Sequence, residues 1–191
     1  YYVKKFELDW DIYNNALFNE KYYTPIINSL NNYKYQSVIN IANNAISFCD
    51  KKFQSDYKFE GISAIHTILG LMYFNIADYQ NAIRHYEISL YNSQKLSDEV
   101  KSQVKMYNAV SIAPILNHLA LCHYTIGNYS NALKYANQSA NYFKDYYGDK
   151  SLPYARELMH MSLYYSGMGD LHKGIQIAEQ ALTIIDNLMH I

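Results

Sequence analysis

Histidine, cysteine and carboxylate side chains are the groups through which this chain could do chemistry, and their spacing is sparse. The seven histidines stand at 66, 85, 118, 123, 160, 172 and 190. Among the histidines and cysteines, only His118 with Cys122 has the i, i+4 spacing that sets two metal ligands on one helix face. Two ligands do not make a site, so the expectation is a buried thiol beside a histidine, with no metal and no other cofactor. Asp98 and Glu99 fall at the start of a helical pattern, where carboxylates complement the positive end of the helix dipole without any catalytic role. No glycine-rich phosphate loop, no H-E-x-x-H and no G-x-S-x-G is present in the sequence, and the chain reads as a non-enzyme. The 22 tyrosines raise the question of base stacking, but 16 basic residues against 17 acidic leave a net charge of −1. The basic half of a nucleic-acid surface is missing, so direct nucleic-acid binding is not expected. Most tyrosines are assigned instead to packing.

Long helices are what would have to position these groups. Among 191 residues there are only 7 glycines and 3 prolines, too few for the tight turns of an all-β protein. Half the residues are apolar and 17% are charged, a composition that folds rather than staying disordered. The best apolar run, Ala109 to Leu116, is interrupted by Ser111 and Pro114, so no membrane span and no membrane partner is expected. Cys49 and Cys122 lie far apart without paired spacing, which fits a reducing, cytoplasmic setting. The opening Tyr1-Tyr2-Val3-Lys4-Lys5 has neither an initiator Met nor an apolar signal core. The chain is therefore expected to be the C-terminal part of a longer protein.

Self-similarity at a period of tens of residues redirects the reading. Leu69-Gly70, Tyr73, Ala77-Asp78-Tyr79, Ala82, Tyr86 and Ser89 return as Leu119-Ala120, His123, Gly127-Asn128-Tyr129, Ala132, Tyr135 and Ser139. A third copy reads Met161-Ser162, Tyr165, Gly169-Asp170-Leu171, Gly174, Ala178 and Ala181. A weaker N-terminal copy reads Tyr33-Lys34-Tyr35, Val38, Ala42 and Ala45, with Thr24-Pro25 where its first helix should run. The small residues Gly70, Ala82, Ala120 and Ala132 let two helices approach closely, while Tyr73, Tyr86 and Tyr135 fill the adjacent gaps. Gly127 and Gly169, each followed by Asn or Asp, suit the left-handed turn that ends one helix and starts the next.

These residues resemble the tetratricopeptide repeat. The resemblance implies an all-α fold, a right-handed α-solenoid of antiparallel helix pairs, with 1–191 as a single repeat domain and approximate repeats at 20–55, 62–95, 112–146 and 152–188. The markers Val38, Ala82, Ala132 and Gly174 are 44, 50 and 42 residues apart, more than the standard repeat of about 34. The excess is expected in an inserted helical stretch, 97–111, opening at Ser97-Asp98-Glu99-Val100, which Pro114 kinks or restarts. Tyr147 to Ala155 is similar to the connector of kinesin light chains, with Ser151 as helix N-cap and Pro153 in the first turn. Long irregular repeats are similar also to bacterial peptide-pheromone receptors of the Rap and PlcR kind.

In such a fold the first helix of each pair lines the concave face. The register assigns Thr67, Leu71, Phe74 and Asn75 to it, then Asn117, His118, Leu121 and Tyr124, then Arg156, Met159, His160 and Leu163. Asn amides can pair with both groups of an extended peptide's backbone, and the apolar residues supply pockets. Asn75→Ala and Asn117→Ala are expected to weaken binding while leaving folding nearly untouched. The groove has no lysine, which disfavours a clamp for a C-terminal carboxylate. The expected function is non-catalytic binding of a peptide or protein segment, as the sensing part of a bacterial quorum-sensing-type regulator. A scaffold or cargo adaptor within a larger assembly is the alternative, and a helical domain appended to an enzyme lying before Tyr1 is the third.

Overall fold

A computed structural model describes residues 15–53, 56–95, 106 and 108–189. Eight helices are described: α1 (Thr24–Asn31), α2 (Tyr35–Lys52), α3 (Tyr57–Asn75), α4 (Tyr79–Ser93), α5 (Ala113–Thr125), α6 (Tyr129–Tyr147), α7 (Leu152–Gly167) and α8 (Leu171–Met189). No strand occurs among the described residues, and the fold is an all-α repeat of helix pairs. The chain divides into two compact units, Tyr1–Asp98 with α1 to α4 and Glu99–Ile191 with α5 to α8.

One turn conformation, used four times, makes the pairs. Tyr33, Ala77, Gly127 and Gly169 all have positive φ, at 57°, 61°, 79° and 93°. In the second of these turns Ala77 N–H donates to Phe74 O and Asp78 N–H to Tyr73 O, and the other three repeat that pattern. The left-handed residue satisfies carbonyls that the ending helix leaves open and turns the chain back on itself. The next residue then caps the following helix: Asp78, Asn128 and Asp170 accept from the backbone N–H of Asn81, Asn131 and Lys173. Lys34 in the first turn makes no such bond.

All three prolines stand in the first two positions of an α-helix, and at Pro153, which follows extended backbone, the missing N–H removes no helical hydrogen bond. Pro25 and Pro114 each follow a π-helical turn, Asn19–Tyr23 and Asn108–Ile112. The wider turn gives the ring room past the carbonyl it would otherwise strike. Pro114 thus restarts a helix. The opening of the expected insertion, Ser97 to Val100, lies outside the described residues. Ser151 occupies the N-cap position of α7 but does not cap it, because its hydroxyl donates to Gly148 O at 2.7 Å.

Close helix crossings follow the small residues. Ala82, Ala120 and Ala132 are buried, and a Cβ added at Gly70 would lie 2.7 Å from the Tyr86 ring. That ring, fully buried, fills the space the glycine leaves between α3 and α4. In unit 2, α6 packs on both α5 and α7, and α8 packs on α7. The shared core there runs through Ala132, Leu133, Ala136, Leu158, Met161 and Ile177. In unit 1 the core is built by Ile26, Val38, Cys49, Ile65 and Met72 among others.

Candidate functional site

The groove-face residues fall in both units, and the two sets behave differently. In unit 1, Thr67 is turned toward α4: its hydroxyl donates to Ser63 O at 3.0 Å and lies 2.7 Å from Ser89 Oγ. It belongs to a buried hydroxyl cluster in which Ser63 Oγ also meets Ser89 and Ser93. Leu71 packs partly against the unit 1 core. Phe74 makes an edge contact with Tyr79, centroids 5.4 Å apart, and Asn75 is exposed at the end of α3. Beside them the His66 and His85 Nδ1 atoms are 2.9 Å apart, and the His85 ring stacks on Tyr73. Burial pushes the His66 imidazole down to about 4, with the neighbouring His85 adding to it.

In unit 2 the expected residues converge on one that sequence reasoning missed. Glu157, on α7, is 0% exposed, and a buried carboxylate requires donors around it. Asn117 on α5 supplies one, with Nδ2 2.5 Å from Glu157 Oε1 and 3.0 Å from His160 Nδ1. Arg156 Nε lies 3.9 Å and His160 Nδ1 3.7 Å from the same oxygen. Glu157 Oε2 is buried without a hydrogen-bond partner among the described residues. The sequence carried a signal for this: Glu157 stands in one helical row with Met161 and Tyr164, both buried, so it lies where an apolar residue belongs.

The chemistry of the donors and acceptors fixes this cluster's polarity. A carboxylate only accepts, so the Asn117 amide must turn its NH2 toward Glu157. That NH2 can only donate, so His160 Nδ1 accepts and the ring proton sits on Nε2. Both Asn117 hydrogens are then used, and its Oδ1 has no partner among the described residues. His118 is half-buried in the same helix, and desolvation lowers its pKa while Glu157 partly opposes that. Met159 and Leu163 are exposed along α7. Leu121 is half-buried, and Tyr124 stacks obliquely on Tyr164, centroids 4.9 Å apart.

Asn117 is accordingly a structural donor, held to Glu157 and His160 of α7. The expectation that Asn117→Ala spares folding does not hold on this geometry, because the change strips a hydrogen bond from a buried charge. Among the described residues no three His, Cys, Asp or Glu side chains gather to hold a metal ion. Cys122 is buried, which pushes its thiol up to about 12. None of the described helices is long and apolar enough to cross a membrane.

A family model of the tetratricopeptide repeat matches residues 111–187. Among solved structures the chain is similar to BtubC (BKLC) from P. vanneervenii, with a TM-score of 0.67 and 18% identity over 81% of this chain and 57% of that one. It therefore spans a little over half the length of that protein. Two structures of MamA align with TM-scores of 0.49 and 0.48 at 16% and 15% identity, covering 87% and 95% of this chain and 92% and 91% of theirs. No curated protein matches the sequence. At such identities the likeness is one of fold, that of stacked antiparallel helix pairs.

Proposed function

We propose that the chain is a non-catalytic recognition module that takes an extended peptide or protein segment along the α5 and α7 face of unit 2. The observation that carries this is the locked Asn117 amide. Glu157 orders it so that an acceptor, Oδ1, is left for a ligand N–H, while His160 offers a donor at Nε2. An extended peptide has both groups to pair at every residue, whatever its side chains. Met159 and Leu163 supply apolar contact along the same helix, and Arg156 brings a cation to its start.

The match to tetratricopeptide repeats over these helices supports binding of a protein segment as a scaffold does. The narrower use, as the peptide-sensing part of a bacterial regulator, rests on the same face and adds that the ligand is a short free peptide. Buried free thiols at Cys49 and Cys122 support a reducing, cytoplasmic setting.

The test is selection of a random twelve-residue peptide library, displayed on phage, against the purified chain. Selected peptides should lose binding at least several-fold to Met159→Glu and Leu163→Glu, both exposed, and keep it to Tyr91→Glu in unit 1. Peptides that bind the two α7 variants as they bind the parent would refute the assignment.

A further inference from the structure

A cleft in unit 1 gathers positive charge that the protein itself does not answer. It lies between the π-helical turn Asn19–Tyr23 and α2, with a volume of about 440 Å³. Lys21 stands on one wall and Lys51 and Lys52 on the other, all three exposed. None of them makes an ion pair with a carboxylate among the described residues. Glu20 and Asp50, their neighbours in sequence, do not line the cleft, and Asp50 is taken by Lys58 at 3.1 Å. In a chain of net charge −1 this is a local excess and not part of a general positive field.

Helix ends explain only part of it. Lys51 and Lys52 stand in the last turn of α2, where cations complement the dipole. Lys21 has no such reason, because helical backbone runs on from its turn through Thr24 into α1. The floor between the walls is aromatic. Tyr22 and Phe48 pack half-buried against the unit 1 core, centroids 5.3 Å apart, with Lys21 Nζ 5.5 Å from the Tyr22 ring. Asn44 and Ser47 continue the α2 wall away from the lysines as neutral hydrogen-bonding groups.

The cleft is long as well as basic. From Asn44 to Lys51 is seven residues of α2, about 10 Å of helix and so about three residues of extended chain. A single phosphate or carboxylate would engage the lysine end alone. Successive side chains of an extended chain point to opposite sides, so adjacent acidic residues can reach Lys21 on one wall and Lys51 on the other. We propose that the cleft docks an extended acidic segment of a partner protein, its carboxylates on Lys21, Lys51 and Lys52 and its backbone beside Asn44 and Ser47. The surface belongs to unit 1 alone and does not rest on the function assigned to α5 and α7.

Fluorescence anisotropy of the purified chain with a dye-labelled peptide, Ser-Glu-Glu-Leu three times over, tests it. Binding should weaken steeply between about 50 and 500 mM sodium chloride, and the Ser-Gln-Gln-Leu counterpart should not bind. Lys21→Gln and Lys51→Gln should each weaken binding about two- to fivefold, and together about tenfold, with helix content unchanged. Asn44→Glu, which places a carboxylate in the cleft, should abolish it. Lys34→Gln removes the same charge from an exposed site outside the cleft and should change binding by less than about twofold. A parent that does not bind the glutamate peptide, or equal losses from Lys34→Gln and Lys21→Gln, would overturn the proposal. Phosphatidylserine vesicles held through Lys21 and Lys51, with the peptide left unbound, would also overturn it and give the cleft to a membrane surface.

Discussion

Exchanging alanine and glycine at two equivalent turn positions tests the repeat register directly. Ala77 and Gly127 occupy the same place, one holding a Cβ at φ 61° and the other none at φ 79°. A Cβ added at Gly127 would meet nothing within 4 Å, so Gly127→Ala probes the backbone alone. Left-handed geometry costs an L-residue about 1–2 kcal/mol, and the alanine recovers about 0.4–1 kcal/mol by restricting the unfolded chain. The net expectation is a loss of about 0.5–1 kcal/mol for Gly127→Ala, and a gain of about the same size for Ala77→Gly. In a chain of this length that is about 1–4 °C in melting temperature, read by circular dichroism and checked by urea titration. Both substitutions shifting stability in the same direction, or Gly127→Ala proving neutral, would refute the claim that one turn conformation is repeated along the chain.

Ala132→Leu should lose about 1–3 kcal/mol by overpacking the α5–α6 crossing, and denaturant midpoints check it. Asn117→Ala should lose about 1.5–3 kcal/mol because Glu157 is left buried with one donor fewer, whereas Asn75→Ala at its exposed site should stay within about 0.5 kcal/mol. Acid should weaken the fold before the carboxylates titrate: His66, His85 and His118 all have folded pKa values below the unfolded one, so the unfolded chain binds more protons. Their contribution is complete above about pH 6.5 and is lost as pH falls toward 4, where His66 titrates. Urea midpoints that rise on going from pH 7 to 5 would contradict this. Burial raises Glu60, which works in the opposite sense, and Glu60→Gln should therefore steepen the loss.

What the sequence determined by itself is local or periodic. Scarce glycine and proline, the Gly-Asn and Gly-Asp turns, the prolines that open helices and the small residues seven apart at Ala82 and Ser89 or Ala132 and Ser139 all act within one pair of helices. Each is legible because a helix repeats its faces at a fixed step. Even so, local rules did not anticipate Ala77 and Tyr33 in left-handed geometry, where the demands of the hairpin override a residue's own preference. Ser151 is the converse case, a residue typed for capping whose hydroxyl found a nearer carbonyl.

Only the tertiary structure decided the Asn117–Glu157 pairing. Asn117 and Glu157 are 40 residues apart and meet because α5 and α7 both pack on α6. No local pattern states that a glutamate will be buried or which amide will answer it, since its burial is set by helices the chain has yet to bring together. The same holds for Thr67, which a face count assigns to the groove and whose hydroxyl is instead drawn into the contact with α4. A periodic sequence specifies which residues share a face. Which partner covers that face is a matter of distant segments competing for the same polar atoms.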